Sequence, residues 1–329
     1  MKTNKAQSAS ADLQTKQSTT NNMNQNKKND SRVTKQFTIG LLSILLLIGS
    51  GALLDKPSSR DARPVGSSLK PLPPASAQNL KAAPRIRGDD SLLDAGAVTS
   101  HNWSGYAATA PTPTADTVTT VTGTWTVPTV TGTESSLSAV WVGMDGFLDN
   151  GDQDTNSVEQ LGTMQALTII SVTRGHKTTV STVSSYFAWV EMWPAPTVVL
   201  SQTTYPVEPG DTITASVTYS ESEGAFVRAM TSSRGWTYMD VVSWAVPERM
   251  TAEWVVEAPS TSGMVDPLAD FGTVTFTDCS ATINGITGPI SDFNWDAITM
   301  LTTSGAAVRA VPSGLSGDGS GFSVTWKHN

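Results

Sequence analysis

From residue 98 onward the chain is a succession of short apolar segments rich in Val, Thr, Trp, Tyr and Ile, broken by Gly, Pro, Asp and Asn. No stretch there keeps a helical period. The segments that read as strands are 118–127, 138–142, 167–172, 186–193, 212–219, 252–256, 273–276, 297–302 and 322–326. Their spacing, with turn residues between them, predicts an all-β antiparallel sandwich or barrel rather than βαβ units. About 230 residues suffice for a single core of that kind. No internal repeat of fixed period interrupts the pattern.

The first third reads differently. Residues 1 to 36 are rich in Lys, Asn, Gln, Ser and Thr and hold almost nothing to bury, so disorder is expected. The uncharged apolar run Phe37–Leu54 follows Lys27, Lys28, Arg32 and Lys35. That is the pattern of an export signal, and its length also approaches that of a membrane anchor. Either way the remainder faces outside, secreted or anchored through 37–54. Ser50-Gly51-Ala52 is a small-residue site close to the run, whereas Ala75-Ser76-Ala77 is too distant for ordinary signal cleavage. Residues 55–97, rich in Pro, Ala and Ser, read as a linker or a basic propeptide. The expected division is therefore 1–54, leader; 55–97, linker or propeptide; 98–329, catalytic β-sandwich.

Charge sharpens that division. Residues 1–97 hold 14 Lys and Arg against 7 Asp and Glu, net +7, and residues 98–329 hold 7 against 22, net −15. A domain this acidic repels phosphate backbones, which argues against a nucleic-acid partner. Near pH 3 to 4 many of its carboxylates are protonated and self-repulsion falls, so the domain suits an acidic medium; plain solubility explains the same composition. The single cysteine, Cys279, excludes an intramolecular disulfide, and its place in an apolar alternation marks it as a buried strand residue.

Several hydrolase chemistries fail on the sequence. There is no H-E-x-x-H, no Cys/His cluster and no G-x-S-x-G, so neither a zinc site nor a nucleophile elbow is expected. The three histidines, His101, His176 and His328, sit in polar surroundings or at the C-terminus, poor places for the base of a serine triad. Carboxylates and amides remain, with no metal and no cofactor expected.

Four segments set polar side chains among apolar ones, and strand alternation says which share a face. Trp141, Gly143 and Asp145 align; Gln160 aligns with Val158 and Gly162; Glu191 with Phe187, Trp189 and Trp193; Glu257 with Val255 and Glu253. A carboxylate on an aromatic face is costly unless paired, protonated or functional. Glu191 is the clearest case. Each has an ordinary explanation too, a cross-strand partner or a solvated edge, and Glu159 and Glu253 are expected to face solvent. Trp141, Trp189, Trp193 and Trp254 serve equally as core.

At these segments the chain resembles the glutamic peptidase (eqolisin) family. The resemblance covers most of residues 100–329: HNWSGY at 101–106, VTGTWTVP at 121–128, WVGMDG at 141–146, VEQLG at 158–162, YFAWVEMWP at 186–194, AEWVVE at 252–257 and ADFGTVTFTDC at 269–279. It implies a sandwich of two large antiparallel sheets (concanavalin-like or jelly-roll), an exported, monomeric preproenzyme, polypeptide substrates and endopeptidase activity in acid. By motif, Glu257 matches the family's catalytic Glu and Gln160 its catalytic Gln. Trp141, Asp145 and Glu191 match positions lining its cleft. Departures concern loops: the segment 147–157 is long and free of Cys, Leu161 stands where fungal members carry a hydroxyl residue, and Ala258-Pro259 replaces an acidic and an aromatic residue. The lack of Cys suggests a bacterial-type member. Two other readings stay open on the residues alone: a jelly-roll glycoside hydrolase using Glu191 and Glu257, and a non-catalytic surface-binding sandwich.

Overall fold

The computed structural model describes residues 80–81, 85, 97–109, 118–147, 157–174, 176–244 and 248–329. The expected leader with its 37–54 run, most of the 55–97 segment and most of the 147–157 loop lie outside the described residues.

β-Branched and aromatic residues between turn signals form strands almost everywhere the pattern predicts them. In chain order these are β1 (Leu80–Lys81), β2 (Ala97–Ser100), β3 (Trp103–Thr109), β4 (Val118–Thr126), β5 (Ser136–Met144), β6 (Val158–Arg174) and β7 (Lys177–Trp193). Next come β8 (Val198–Val199), β9 (Thr212–Ser220), β10 (Ala225–Ser232), β11 (Thr237–Ser243), β12 (Thr251–Glu257), β13 (Ser260–Thr261) and β14 (Met264–Val265). The last are β15 (Thr273–Ile283), β16 (Ile286–Pro289), β17 (Asn294–Leu301), β18 (Val308–Pro312) and β19 (Phe322–Trp326). Among the described residues there is no α-helix, hence none long and apolar enough to cross a membrane.

Hydrogen bonding runs in the order β11-β10-β9-β4-β15-β19-β18-β17-β3-β12-β5-β6-β7-β8. The pairings are antiparallel except for β2, which lies parallel to β17. This ribbon folds over, so that β4 and β9 pack across β5, β6 and β12. The result is the expected β-sandwich. Between the layers lie Trp125, Phe226 and Phe276 from one half and Val140, Val142, Leu161 and Trp254 from the other. Two indoles tie the layers: Trp125 Nε1 donates to Thr163 Oγ1 at 3.0 Å, and Trp254 Nε1 to the Thr122 carbonyl at 2.6 Å. Each buried N–H thus finds an acceptor while its ring contributes the large apolar area that holds the layers together. Cys279 is buried on β15, as expected, and burial pushes its thiol up; strict alternation with Val274 and Phe276 would face it outward, and a bulge at Asp278, φ 53°, turns it in.

The outer face of the β3-β12-β5-β6-β7 layer carries a second apolar cluster built from Trp103, Trp141, Phe147, Phe187, Trp189 and Val255. Period-2 alternation places the candidate polar residues there.

Candidate active site

Cross-strand register fixes the arrangement. Glu257 on β12 lies opposite Ala139 on β5 and Trp103 on β3. Gln160 on β6 lies opposite Gly143 on β5 and Glu191 on β7. Trp141 lies between Val255 and Gly162. Glu257 and Gln160 therefore share one face, two strands apart, and Trp141 occupies the strand between them at the middle of the diagonal.

The indole joins the two. Its Nε1 donates to Glu257 Oε2 at 2.9 Å. Its far edge leans over Gly143, where an added Cβ would stand 2.8 Å from Trp141 Cζ3 and 3.1 Å from Gln160 Cβ. Beneath it, a Cβ on Gly162 would meet the Val140 carbonyl oxygen at 2.1 Å and Trp141 Cβ at 2.6 Å. Two glycines thus make the bed in which the ring lies. Trp103 packs edge-on against Trp141, centroids 4.9 Å apart. Gln160 Nε2 donates to Glu191 Oε2 at 3.4 Å, which turns the amide and gives the carboxylate of Glu191 a donor on its aromatic strand. Glu257, Gln160, Glu191 and Trp141 are all buried.

Asp145, the residue after β5, lies in the left-handed region, φ 67°, followed by Gly146 at φ 100°. The chain turns there and brings Phe147 into the aromatic cluster. Both Asp145 oxygens are engaged, accepting the backbone N–H groups of Arg249 and Met250 at 2.7 Å each. Burial nonetheless pushes its carboxyl up to about 6, against those two bonds. Glu159 and Glu253, expected on the solvent side, are fully buried instead. Glu253 faces Gly143 and Ala107 on the same face as Gln160, whereas Glu159 lies between Met144 and Met192. Burial raises both carboxyls well above the ordinary range, and Asp145 raises each further. The hydroxyls of Ser157 and Thr251 lie near them without closing a hydrogen bond of normal geometry.

A model of the peptidase A4 family matches residues 101–317. The chain belongs to this family. It is a glutamic-type peptidase of the eqolisins. Two crystal structures of scytalido-glutamic peptidase, with a transition state analog inhibitor and with a peptide based transition state analog, share its fold at a TM-score of 0.52 each. They are 22% and 23% identical and cover 69% of this chain and 98% of their own. No curated protein sequence matches the chain.

In this A4 peptidase the histidines do other work. His101 Nδ1 donates to the Thr302 carbonyl at 2.8 Å, and His176 stands at the exposed β6–β7 turn. Among the described residues no cluster of His, Cys, Asp and Glu is arranged to hold a metal. Sequence reasoning singled out neither Trp103 nor Gly143 as part of the site. Trp103 sits in the HNWSGY motif, and Gly143 is the small residue between Trp141 and Asp145, a signal visible once the indole is known to need room.

Proposed function

We propose that this A4 peptidase cleaves internal bonds of polypeptides in acid, with Glu257 as general base and Gln160 as the group that orients water and holds the oxyanion. The observation that supports this is the placing of one carboxylate and one amide on a single face with an indole spanning the strand between them. On a flat sheet their backbones would stand ~16 Å apart; two side chains each ~5 Å long then leave roughly 6 Å, enough for one water between two hydrogen-bond partners.

The Glu257 carboxylate takes a proton from that water as its oxygen attacks the scissile carbonyl carbon. Gln160 Oε1 accepts the water's other hydrogen and Nε2 donates to the oxyanion. An amide offers both functions and does not titrate. When the C–N bond breaks, Glu257 returns the proton to the leaving nitrogen. One oxyanion donor is typically worth about 3–4 kcal/mol. Trp141 holds Glu257 and floors the cleft; Glu191 holds the Gln160 amide; Asp145 fastens the 248–250 segment at the cleft's end. We further read 37–54 as the export element, which puts the enzyme outside the cytoplasm.

The test is incubation of the purified 55–329 chain with a denatured protein at pH 3 to 4 and mass analysis of products. Glu257→Gln and Gln160→Glu are expected to abolish cleavage while leaving the fold intact by circular dichroism. Full activity in either variant would overturn the assignment. No observation favours the glycoside-hydrolase or binding-module readings over the peptidase.

A further inference from the structure

The strands β6 and β7 that carry Gln160 and Glu191 do not stop at the edge of the sandwich. They pair without a register break from Val158↔Trp193 to Arg174↔Lys177. β5 accompanies β6 only as far as Leu167, and β8 pairs β7 only at Trp189 and Val190. Beyond these limits the two strands form an exposed arm, roughly seven residues long on each side, or ~23 Å.

Because the register is unbroken, alternation carries the cleft face onto the arm. Gln160, Gly162, Met164 and Ala166 are followed on that face by the pairs Thr168/Val183, Ile170/Ser181, Val172/Thr179 and Arg174/Lys177. On the opposite face Thr173 and Thr178 bond to each other at 3.0 Å at the tip, and Val180, opposite Ser171, is 61% exposed. Ile170 and Val172 are 41% and 45% exposed, apolar surface left in water on the face that carries Gln160. A pocket of about 220 Å³, lined by Leu137, Ala166, Thr168, Thr261 and Asp266 among others, lies where the arm leaves the body.

Charge singles out the tip. In a region of net charge −15, other arginines are committed: Arg228 to Asp240, Arg234 to Asp211, Arg249 to Glu221, and Arg309 to the Asp266 carbonyl and Asn329. Arg174 and Lys177 instead lie directly opposite each other, exposed, with His176 between them in the turn. Like charges at directly opposed positions destabilise a ribbon. An anionic partner relieves that repulsion.

We propose that this arm is a distal substrate-binding surface, which takes an extended, carboxylate-bearing stretch of the polypeptide about eight to twelve residues from the scissile bond. The proposal rests on the cleft assignment above. An extended peptide advances at the same ~3.3 Å per residue as the strand beneath it, so a chain seated at Gly162 reaches Ile170 after eight residues and Arg174 after twelve. Ile170 and Val172 receive its apolar side chains and Arg174 and Lys177 its carboxylates. At pH 4.5 roughly half or more of substrate Asp and Glu are ionised.

The experiment uses the purified 55–329 chain at pH 4.5 on three peptides with the same mapped cleavage site. One is an octapeptide; two are about thirty residues long, with Asp/Glu or Asn/Gln eight to twelve residues away on both sides. The parent is expected to show a KM about fivefold lower for the acidic long peptide than for the amide one, the scale of two exposed ion pairs, and to lose that preference in high salt. In Arg174→Glu/Lys177→Glu the preference vanishes while octapeptide kcat/KM stays at the parent value. Ile170→Thr/Val172→Thr raises KM for both long peptides alone. A parent that treats the two long peptides alike, or a charge reversal that leaves the preference intact, overturns the arm. So does a dimer in gel filtration that the charge reversal dissolves, since the arm would then serve a second copy. A parent that fails to cut even the octapeptide overturns the catalytic reading instead.

Discussion

At the scale of single residues the site depends on the Trp141 indole. Its N–H is a donor to a buried carboxylate, and such charge-assisted bonds contribute more than neutral ones. Trp141→Phe keeps a ring over Gly143 and removes only that donor. The expected outcome is a fall in kcat of about tenfold to a hundredfold with KM little changed, from losing about 1.5–3 kcal/mol of positioning. A parent-like kcat in steady-state assays would show that Glu257 is held by something else. Gly143→Ala tests the same contact from below. Its Cβ would press on Trp141 Cζ3 at 2.8 Å and on the Glu159 carbonyl oxygen at 2.9 Å, and the second is backbone that cannot swing aside. Overpacking of that kind costs about 1–3 kcal/mol, so melting temperature and activity should fall together. A variant as stable and as active as the parent would mean the indole has slack that the geometry denies.

At the scale of strands, three buried carboxyls surround the end of β5: Asp145 just past it, Glu159 across from it on β6 and Glu253 across from it on β12. Each titrates above its unfolded value, so the folded state holds protons that the unfolded chain has already released. The stability they permit is fully present below about pH 4 and is lost as pH rises, first through about 6 for Asp145 and then higher for the two glutamates. The melting temperature should therefore be greatest in acid and decline toward neutrality. Glu253→Gln, neutral at every pH, should flatten that decline in calorimetry; an unchanged slope would remove Glu253 from the cause. These glutamates also mark where the sequence ceased to be legible. Alternation announced only Glu191 through aromatic neighbours, Phe187, Trp189 and Trp193; Gln160 and Glu257 have none on the same face of their own strands, and cross-strand register sets them beside the aromatic cluster. Glu159 and Glu253 carry the ordinary signal of solvated carboxylates, and nothing local says that a second layer and a turning loop close over them. The arm was half visible for a related reason. Residues 167–172 read as a strand, but 177–185, nearly all Thr, Ser and Val with both faces alike, lack the polar-apolar contrast that reveals one.

At the scale of the whole molecule, the opposition of residues 1–97, net +7, to residues 98–329, net −15, gains contacts. Leu80 and Lys81 pair with Thr261 and Ser260, which follow Glu257 in the chain by a few residues. Arg85 is buried: its N–H donates to the Gly146 carbonyl at 3.1 Å, its Nη1 to the Thr99 carbonyl at 3.2 Å, and its guanidinium lies 4.5 Å from the centre of the Phe147 ring. These anchors touch the segments that leave both ends of the catalytic strands, and they support the proposal that 55–97 is a propeptide held over the domain until acid releases it. The Gly146 and Thr99 carbonyls and the Phe147 ring do not titrate, so pH leaves this part of the hold untouched, whereas protonation of domain carboxylates weakens their attraction for the rest of the segment, whose net charge over 55–97 is +2. Arg85→Ala should then make the intact chain faster on an octapeptide at pH 5 to 6, and bring the pH at which the segment is lost upward, with the acid-processed forms of parent and variant equal in rate. Loss of the segment is read by mass and activity on the same samples. An intact parent that stays full length through acid treatment and is as active as the 98–329 form would refute the propeptide, and equal rates for intact parent and Arg85→Ala would show that this arginine secures the fold rather than the latch.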